Sequence, residues 1–315
     1  MGWVTVRNFV WTNGSGISAL PGTRQLPVAL GDVLNLNAVR EPIRYSTTLY
    51  ELRLLGSYLH ADGPLRVDAG AFGSSTGHIQ RFVSESIGLG LLAAVVRSTR
   101  QAAEVLPPAG YPKAGVRPDL LFALPNSVLA GEARGRSQKP PRKPGPDQHQ
   151  RLAELLPWTG KYGHDLVMSW AWIGQDGITV DLFSSTDEPA ELDLTTSGDD
   201  LGLFALGLVR PRVREGAADR TLAVARQRVR AMETALFDTA PHTGRSVAGQ
   251  GFRGAWVPLD LLGPATGALL FGVLVEPLAA EAEALVRDRL GGAVSIRGRV
   301  LVAVTGDVAW EKLPA

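Results

Sequence analysis

The sequence predicts an α/β fold in which a mixed central sheet is flanked by helices, with additions at both ends of the chain. Short runs rich in Val, Ile, Thr and aromatic residues alternate with longer stretches whose apolar residues recur at helical spacing. Clusters of glycine and proline separate these runs. The 315 residues are 45% hydrophobic and 20% charged, which is the composition of a folded globular protein.

Two breaks in this pattern divide the chain into three parts. They are "GSSTG" at 73–77 and "TTSGDD" at 195–200. We therefore predict a β-rich N-terminal segment over 1–75, a core over 76–195 and a C-terminal α/β segment over 196–315.

The N-terminal segment contains β-like runs such as "WVTVRNFVW" and "QLPVALGDVLNL", followed by a predicted helix over 47–61. It carries no recognisable chemistry. The core opens with a helix predicted over 77–104. Its stripe at helical spacing includes an acid, Glu85, among apolar residues, which are Phe82, Leu89, Leu92 and Val96.

A β-hairpin is predicted next, with strands over 117–124 and 127–134 around the turn residues "PNS". A helix follows a basic, proline-rich loop. Asp147 is its predicted N-cap, with Gln150 completing a capping box, and Pro157 is its predicted end.

The remaining elements are two strands in the core and a helix, strand, helix and strand in the last third. The core strands are "DLVMSWAWIG" and "GITVDLFS", joined by the Gln-Asp-Gly turn at 175–177. The later elements are predicted over 219–237, 268–275, 278–290 and 299–305.

Composition also excludes some kinds of site. The chain has no cysteine, so disulfides, thiolate zinc sites and cysteine nucleophiles are excluded. The first residues do not read as a secretory signal. The longest apolar stretches, at 87–96 and 267–275, are shorter than the roughly 20 residues that span a bilayer. We predict a cytoplasmic, soluble protein with no membrane partner.

Polar residues at the open end of the hairpin are the main candidate site. Side chains alternate between the faces of a strand, so Glu132 and Arg134 point the same way, about 7 Å apart. Pairing around "PNS" brings Asp119 to the same end. Two neighbouring carboxylates repel each other unless a cation lies between them. Mg²⁺ prefers oxygen ligands of this kind.

This pattern resembles the PD-(D/E)XK nuclease superfamily, which has the restriction-endonuclease-like fold. The matching residues are Pro118-Asp119, then Glu132-Ala133-Arg134, with a helix acid before them at Glu85. The order of elements is also similar: a helix with an acid, two motif strands, a helix and a strand. The resemblance covers roughly residues 76–185. It departs from the family in lacking a clear strand between the Glu85 helix and "RPDL".

The resemblance implies a nuclease that hydrolyses phosphodiester bonds with Mg²⁺ or Mn²⁺. Asp119 and Glu132 would bind the metal, helped by Glu85 and the Ala133 carbonyl. Arg134 stands where the family has lysine. It can stabilise charge in the transition state but cannot act as a base, since arginine does not lose its proton. The catalytic set is then Asp119, Glu132 and Arg134.

A basic loop follows the motif, and basic patches on balanced proteins (the net charge here is +1) are typical of phosphate-binding surfaces. We predict contacts to nucleic acid, with DNA favoured over RNA, from Arg136, Lys139, Arg142 and Lys143. Gln148 joins this set because some branches of the superfamily place a glutamine near the metal. The sequence leaves open a homo-oligomer or a protein partner.

Other interpretations remain open. Asp119 could cap a strand, Glu132 and Arg134 could be a surface ion pair, and Glu85 could be a first-turn acid behind Ser84. The main functional alternative is a catalytically inactive nuclease-like fold that serves as a nucleic-acid-binding or scaffold module, because of Arg134. An unrelated α/β binding protein would follow if Asp119 and Glu132 did not converge.

Overall fold

The computed structural model confirms the α/β class, with a large mixed sheet and helices against it. It describes residues 1–12, 16–39, 44–100, 104–112, 115–125, 127–185, 217–262, 267–290, 294–306, 308 and 310–314. The predicted boundary at 195–200 lies outside these ranges.

The central sheet has seven strands. In chain order they are β1 (Gly2–Thr12), β2 (Gly16–Val28), β5 (Glu104–Leu106), β6 (Leu120–Ala123), β7 (Val128–Arg136), β8 (Asp165–Gly174) and β9 (Gly177–Ser185). A small separate hairpin pairs β3 (Leu59–His60) with β4 (Arg66–Val67). The order across the sheet is β2-β1-β9-β8-β7-β6-β5.

A second sheet forms in the C-terminal part. Its strands are β10 (His242–Val247), β11 (Gln250–Pro258), β12 (Ala268–Leu274), β13 (Val294–Arg297) and β14 (Val300–Thr305), in the order β10-β11-β12-β14-β13. All its pairings are antiparallel. The predicted strands near 268–275 and 299–305 are therefore present in an antiparallel sheet.

Helices cover the two sheets. They are α1 (Leu30–Asn35), α2 (Tyr45–Tyr58), α3 (Ala69–Ser74), α4 (Gly77–Arg100), α5 (Pro146–Tyr162), α6 (Ala217–Thr239) and α7 (Ala280–Leu290). The helix predicted over 219–237 is confirmed as α6, and its Leu222, Ala225, Met232 and Leu236 are buried at helical spacing. Helix α1 contacts α4 on one side and strands β13 and β14 on the other.

Strand pairing in the middle of the central sheet changes from antiparallel to parallel between β7 and β8. Strands β5, β6 and β7 are successive antiparallel neighbours, and α5 then crosses over to β8, which runs parallel to β7. The predicted hairpin around "PNS" is confirmed, and so is the β8–β9 hairpin. Strand β1 pairs in parallel with β9, so the central sheet extends across the predicted boundary at residue 75.

Three details of the sequence interpretation were wrong. A strand, β5, does lie between the Glu85 helix and "RPDL". Helix α5 begins at Pro146, not after Asp147, and the Gly145 N–H donates to Gln148 Oε1 at 2.9 Å. Helix α5 also continues through Pro157 to Tyr162.

Helix α4 is a core helix. Its segment Gly77–Thr99 has the length and apolar character of a membrane-spanning helix, with a mean hydropathy of 1.4, but 67% of it is buried inside the protein. Ile87 and Leu91 belong to the same hydrophobic cluster as Leu129 and Ala133 of β7. This is the packing of a helix within a soluble α/β protein.

Helix α5 covers the opposite face of the sheet. Its Leu152 and Leu155 pack in a cluster with Ala130 of β7 and Met168 of β8. Because side chains alternate along β7, Leu129 and Ala133 face α4, whereas Ala130, Glu132 and Arg134 face the α5 side. The two helices therefore lie on different sides of the candidate site strand.

Gly135 lets α4 approach the backbone of β7. A Cβ built on Gly135 would lie 1.7 Å from the Ser84 carbonyl oxygen, a backbone atom that cannot move without shifting the helix. We expect Gly135→Ala to destabilise the protein by about 3 kcal/mol in urea unfolding. The control is Gly160→Ala in α5, where a Cβ would meet nothing within 4 Å. Equal stabilities for the two variants would contradict this close approach.

Candidate active site at the open end of the β6–β7 hairpin

The β6–β7 register brings the two predicted carboxylates together. Leu120 pairs with Gly131, and the Asp119 N–H donates to the Gly131 carbonyl at 2.9 Å. Arg134 reaches both acids, since its Nη2 lies 2.8 Å from Glu132 Oε1 and its Nη1 lies 3.9 Å from Asp119 Oδ2. The hairpin therefore makes the two acids converge.

Glu132 is fully buried, with 0% of its surface exposed. Its Oε1 lies 2.8 Å from Arg134 Nη2 and 2.8 Å from Arg151 Nε, so two guanidinium groups contact a single oxygen. Its Oε2 is also buried and has no hydrogen-bond partner among the residues described. A buried carboxylate oxygen without a partner is costly, and it is a free ligand atom.

Asp119 lies at the partly exposed mouth of the site. Its Oδ2 accepts the Ala133 N–H at 3.0 Å and lies 3.9 Å from Arg134 Nη1. Arg134 Nη1 also donates to the Ala133 carbonyl at 3.3 Å. The Arg134 guanidinium thus contacts Glu132 and approaches Asp119, in the place where the sequence predicts a cation.

Burial raises the pKa of Glu132 to about 7, and the neighbouring charge of Asp119 adds to the rise. Arg151 and Arg134 act in the opposite direction. Glu132 therefore changes its charge close to neutral pH, and an increase in pH converts it into the ionised form that binds a cation.

The raised pKa of Glu132 predicts a pH-dependent stability. Between its ordinary value of 4.5 and its raised value of about 7, the native protein holds a proton that the unfolded chain has released. Stability is therefore lost as pH rises through this window. We expect wild type to lose about 2 kcal/mol relative to Glu132→Gln between pH 5 and pH 8, measured by urea unfolding. Parallel pH profiles for the two proteins would contradict the raised pKa.

The sequence interpretation did not assign Arg151 to the site. Its Nε donates to Glu132 at 2.8 Å, and its Nη1 lies 3.1 Å from Glu154 Oε2. The helical spacing contained a signal: Arg151 follows Gln148 by three and precedes Leu155 by four, and both of those residues are buried. An arginine on the buried stripe of a helix needs an acidic partner, and Glu132 provides it.

The structure does not bring Glu85 together with Asp119 and Glu132. Glu85 is 46% exposed and pairs with Arg81 on its own helix at 2.9 Å. Helix α4 packs on the face of β7 that carries Leu129 and Ala133. Glu132 points to the other face, because side chains alternate along the strand. Within the described ranges, no three His, Cys, Asp or Glu side chains form a metal-binding group.

The predicted nucleic-acid-binding residues divide into two groups. Lys139, Arg142 and Lys143 are exposed on the loop after β7. Arg136 lies with its guanidinium 5.5 Å from the centre of the Trp170 ring. Gln148 is buried and accepts the Gly145 N–H at the start of α5, so in this structure it supports the helix.

A hydrogen bond from Arg7 of β1 holds the basic loop against the central sheet. Arg7 Nη1 donates to the Pro141 carbonyl at 2.7 Å, and Arg7 Nε and Nη2 each donate to Asp181 at 2.6 Å. Asp181 also accepts the Trp172 indole N–H at 2.7 Å. The loop therefore presents its three exposed cations from a defined position beside the site.

A polar cavity of about 550 Å³ lies where the first turns of α4 meet the end of β7. Arg134 and Arg136 line it together with Gln80, Arg81, Ser84 and Glu85 of the helix. Arg134 consequently contacts the carboxylates and borders an opening at the surface.

Comparison with known proteins adds no assignment. No protein-family model, curated protein or solved structure matches this chain. The geometry of the site is thus the basis on which a function can be argued.

Proposed function

We propose that the protein is a metal-dependent nuclease that hydrolyses phosphodiester bonds in DNA. The observation that carries the proposal is the convergence of Asp119 and Glu132 on Arg134 at one end of the hairpin, with a buried Glu132 oxygen that lacks a hydrogen-bond partner among the described residues. The element order supports it: helix α4, antiparallel strands β5 to β7, helix α5 and the parallel strand β8 follow the order of the PD-(D/E)XK superfamily, which the sequence resembles.

The donor set fits a hard divalent cation such as Mg²⁺ or Mn²⁺. Asp119, Glu132 through its unpartnered Oε2, and the Ala133 carbonyl would hold it, since all three are oxygen ligands at one end of the hairpin. When bound, such an ion supplies Lewis-acid polarisation of a phosphate and a more acidic water.

The remaining residues of the site have separate roles. Arg134 balances the carboxylate charge in the absence of a cation and would turn to the phosphate oxygens when a cation takes its place. A guanidinium in such a position stabilises the charge that develops on phosphate. Arg151 keeps Glu132 oriented from α5. The loop residues Lys139, Arg142 and Lys143 would contact the backbone of the nucleic acid.

A second candidate is a nucleic-acid-binding module that does not cleave. Two arginines contact Glu132 Oε1, and a third acid is missing from the site within the described residues. Both observations favour a site in which arginines, and not a metal ion, neutralise the charge of the carboxylates. In this case Arg134 and the loop would bind phosphate without chemistry.

A cleavage assay separates the two candidates. Single-stranded and duplex DNA and RNA are incubated with the protein in Mg²⁺, in Mn²⁺ and in EDTA. We expect cleavage of DNA with either metal and none in EDTA. Binding of DNA without cleavage under every metal condition would reject the nuclease and favour the binding module.

The basic loop gives a prediction that holds for both candidates. Replacing Lys139, Arg142 and Lys143 with glutamine should weaken binding to all DNA sequences alike. The slope of log K against log salt should flatten by roughly one unit for each lost phosphate contact. The control replaces the exposed Arg289 of α7. An unchanged slope in the triple variant would show that the loop makes no phosphate contacts.

A further inference from the structure

The guanidinium of Arg297, at the end of β13, is buried and makes no hydrogen bond to the described residues. Its Nε, Nη1 and Nη2 are all shielded from solvent and have no partner in the part of the chain that the structure describes. Arginine remains charged in proteins, so it cannot relieve this position by losing a proton. A buried guanidinium that makes no hydrogen bond carries a large desolvation cost.

The charges around Arg297 do not balance. Arg97 and Arg287 repel it, and Asp32 attracts it. Asp32 is shared with Arg97 at 3.5 Å, and Glu283 is held by Arg287 at 2.6 Å. Three arginines thus face two carboxylates, and the cluster lacks one negative charge.

Neighbouring neutral groups cannot supply that charge. Asn35 Oδ1 is a second buried atom without a partner, and its Nδ2 donates to the Ser295 carbonyl, two residues before Arg297 on the same strand. A neutral acceptor of this kind could complete a hydrogen bond to Arg297. It would leave the net positive charge unchanged, so an anion is the missing component.

A cleft of about 860 Å³ provides room for this anion. Its lining includes Arg297, Arg97, Arg117 and Asp119. The volume lies within the roughly 300–1,000 Å³ of small-molecule sites. Two acids of the lining already have partners, since Glu104 pairs with Arg226 and Glu233 accepts the Arg299 N–H.

We propose that this cleft is a binding site for a phosphate-bearing ligand, whose phosphate group is held by Arg297 and Arg97, the two arginines of this cluster that line the cleft. A phosphate supplies both the missing charge and acceptors for the fork of guanidinium donors. Because the three nitrogens are shielded, binding includes a turn of the Arg297 side chain toward the opening. Asp119 of the carboxylate pair also lines this cleft. The proposed phosphate site is formed by the arginines and does not depend on nuclease activity.

Thermal unfolding of the full chain in EDTA tests this site. Inorganic phosphate is titrated against chloride at equal ionic strength. We expect phosphate at ten times its Kd to raise the Tm of wild type by about 2–4 °C. Arg297→Met should lose the shift, and Arg66→Gln, whose exposed ion pair with Asp62 lies outside the cleft lining, should keep it. If Arg297→Met does not fold, Arg97→Gln should weaken the phosphate affinity at least fivefold.

Two further ligands distinguish the source of the phosphate. A nucleoside 5′-monophosphate that shifts Tm at lower concentration than phosphate indicates a free nucleotide. An oligonucleotide that binds more tightly with a 5′-phosphate than without it, in wild type but not in Arg297→Met, indicates a nucleic-acid end. The absence of any phosphate-specific shift in wild type, or a full shift in Arg297→Met, would overturn the proposal.

Discussion

Asp119→Asn and Glu132→Gln are each expected to reduce Mg²⁺-dependent cleavage of DNA by at least about 10²-fold, because a metal site supplies several kcal/mol of transition-state stabilisation. The two acids converge on Arg134 at the open end of the β6–β7 hairpin, so loss of either carboxylate removes part of one donor set. The measurement is single-turnover cleavage with saturating enzyme.

Two controls are needed: one for the specific loss of these two acids, and one for the folding of the variants. Asp176→Asn changes an exposed acid in the turn between β8 and β9 and should cleave at the wild-type rate. Circular dichroism and the unfolding midpoint verify that Asp119→Asn and Glu132→Gln remain folded. Full activity in either variant, or cleavage by wild type in EDTA, would show that the acids do not form a catalytic metal site.

Replacement of Arg134 by alanine is expected to lower the cleavage rate without lowering the affinity for the metal ion. Its guanidinium lies 2.8 Å from Glu132 Oε1 and 3.9 Å from Asp119 Oδ2, so it competes with a cation for both carboxylates. Arg134→Ala should therefore bind Mn²⁺ at least as tightly as wild type while cleaving about 10²–10³-fold more slowly. Arg134→Lys keeps the charge and adds a group that can lose a proton, so it should keep or raise the rate.

The outcome for Arg134 also distinguishes the two candidate functions. In a non-cleaving module, neither variant cleaves and only Arg134→Ala binds DNA less well than wild type. Arg289→Gln, on the exposed face of α7, controls for the general loss of one positive charge. An Arg134→Ala protein with wild-type cleavage and wild-type binding would remove this residue from both functions.

Local patterns predicted the hairpin and its acids correctly. Strand alternation with a period of two and the turn residues around "PNS" are short-range signals, and they were sufficient to place Asp119 and Glu132 at the same end of the hairpin, where Arg134 reaches both. Helix α6 was predicted for the same reason, because helical spacing is a local property.

The errors have physical causes. Strand β5 has three residues, which is too short for a periodicity, and it is fixed by pairing with β6. Strand β1 joins β9 through contacts more than 170 residues apart, which no local pattern records. Glu85 lies on the stripe of a helix whose position on the opposite face of the sheet depends on tertiary packing. Arg151 was missed because its partner, Glu132, lies on another element.

Manganese binding tests the central claim most directly. Free Mn²⁺ is measured by electron paramagnetic resonance at pH 8, where Glu132, with a pKa of about 7, is ionised. Wild type should bind one Mn²⁺ per chain, with weaker binding at pH 6, and the double variant Asp119→Asn/Glu132→Gln should bind none. The absence of binding to wild type, or equal binding to the double variant, would contradict a metal site formed by these two carboxylates.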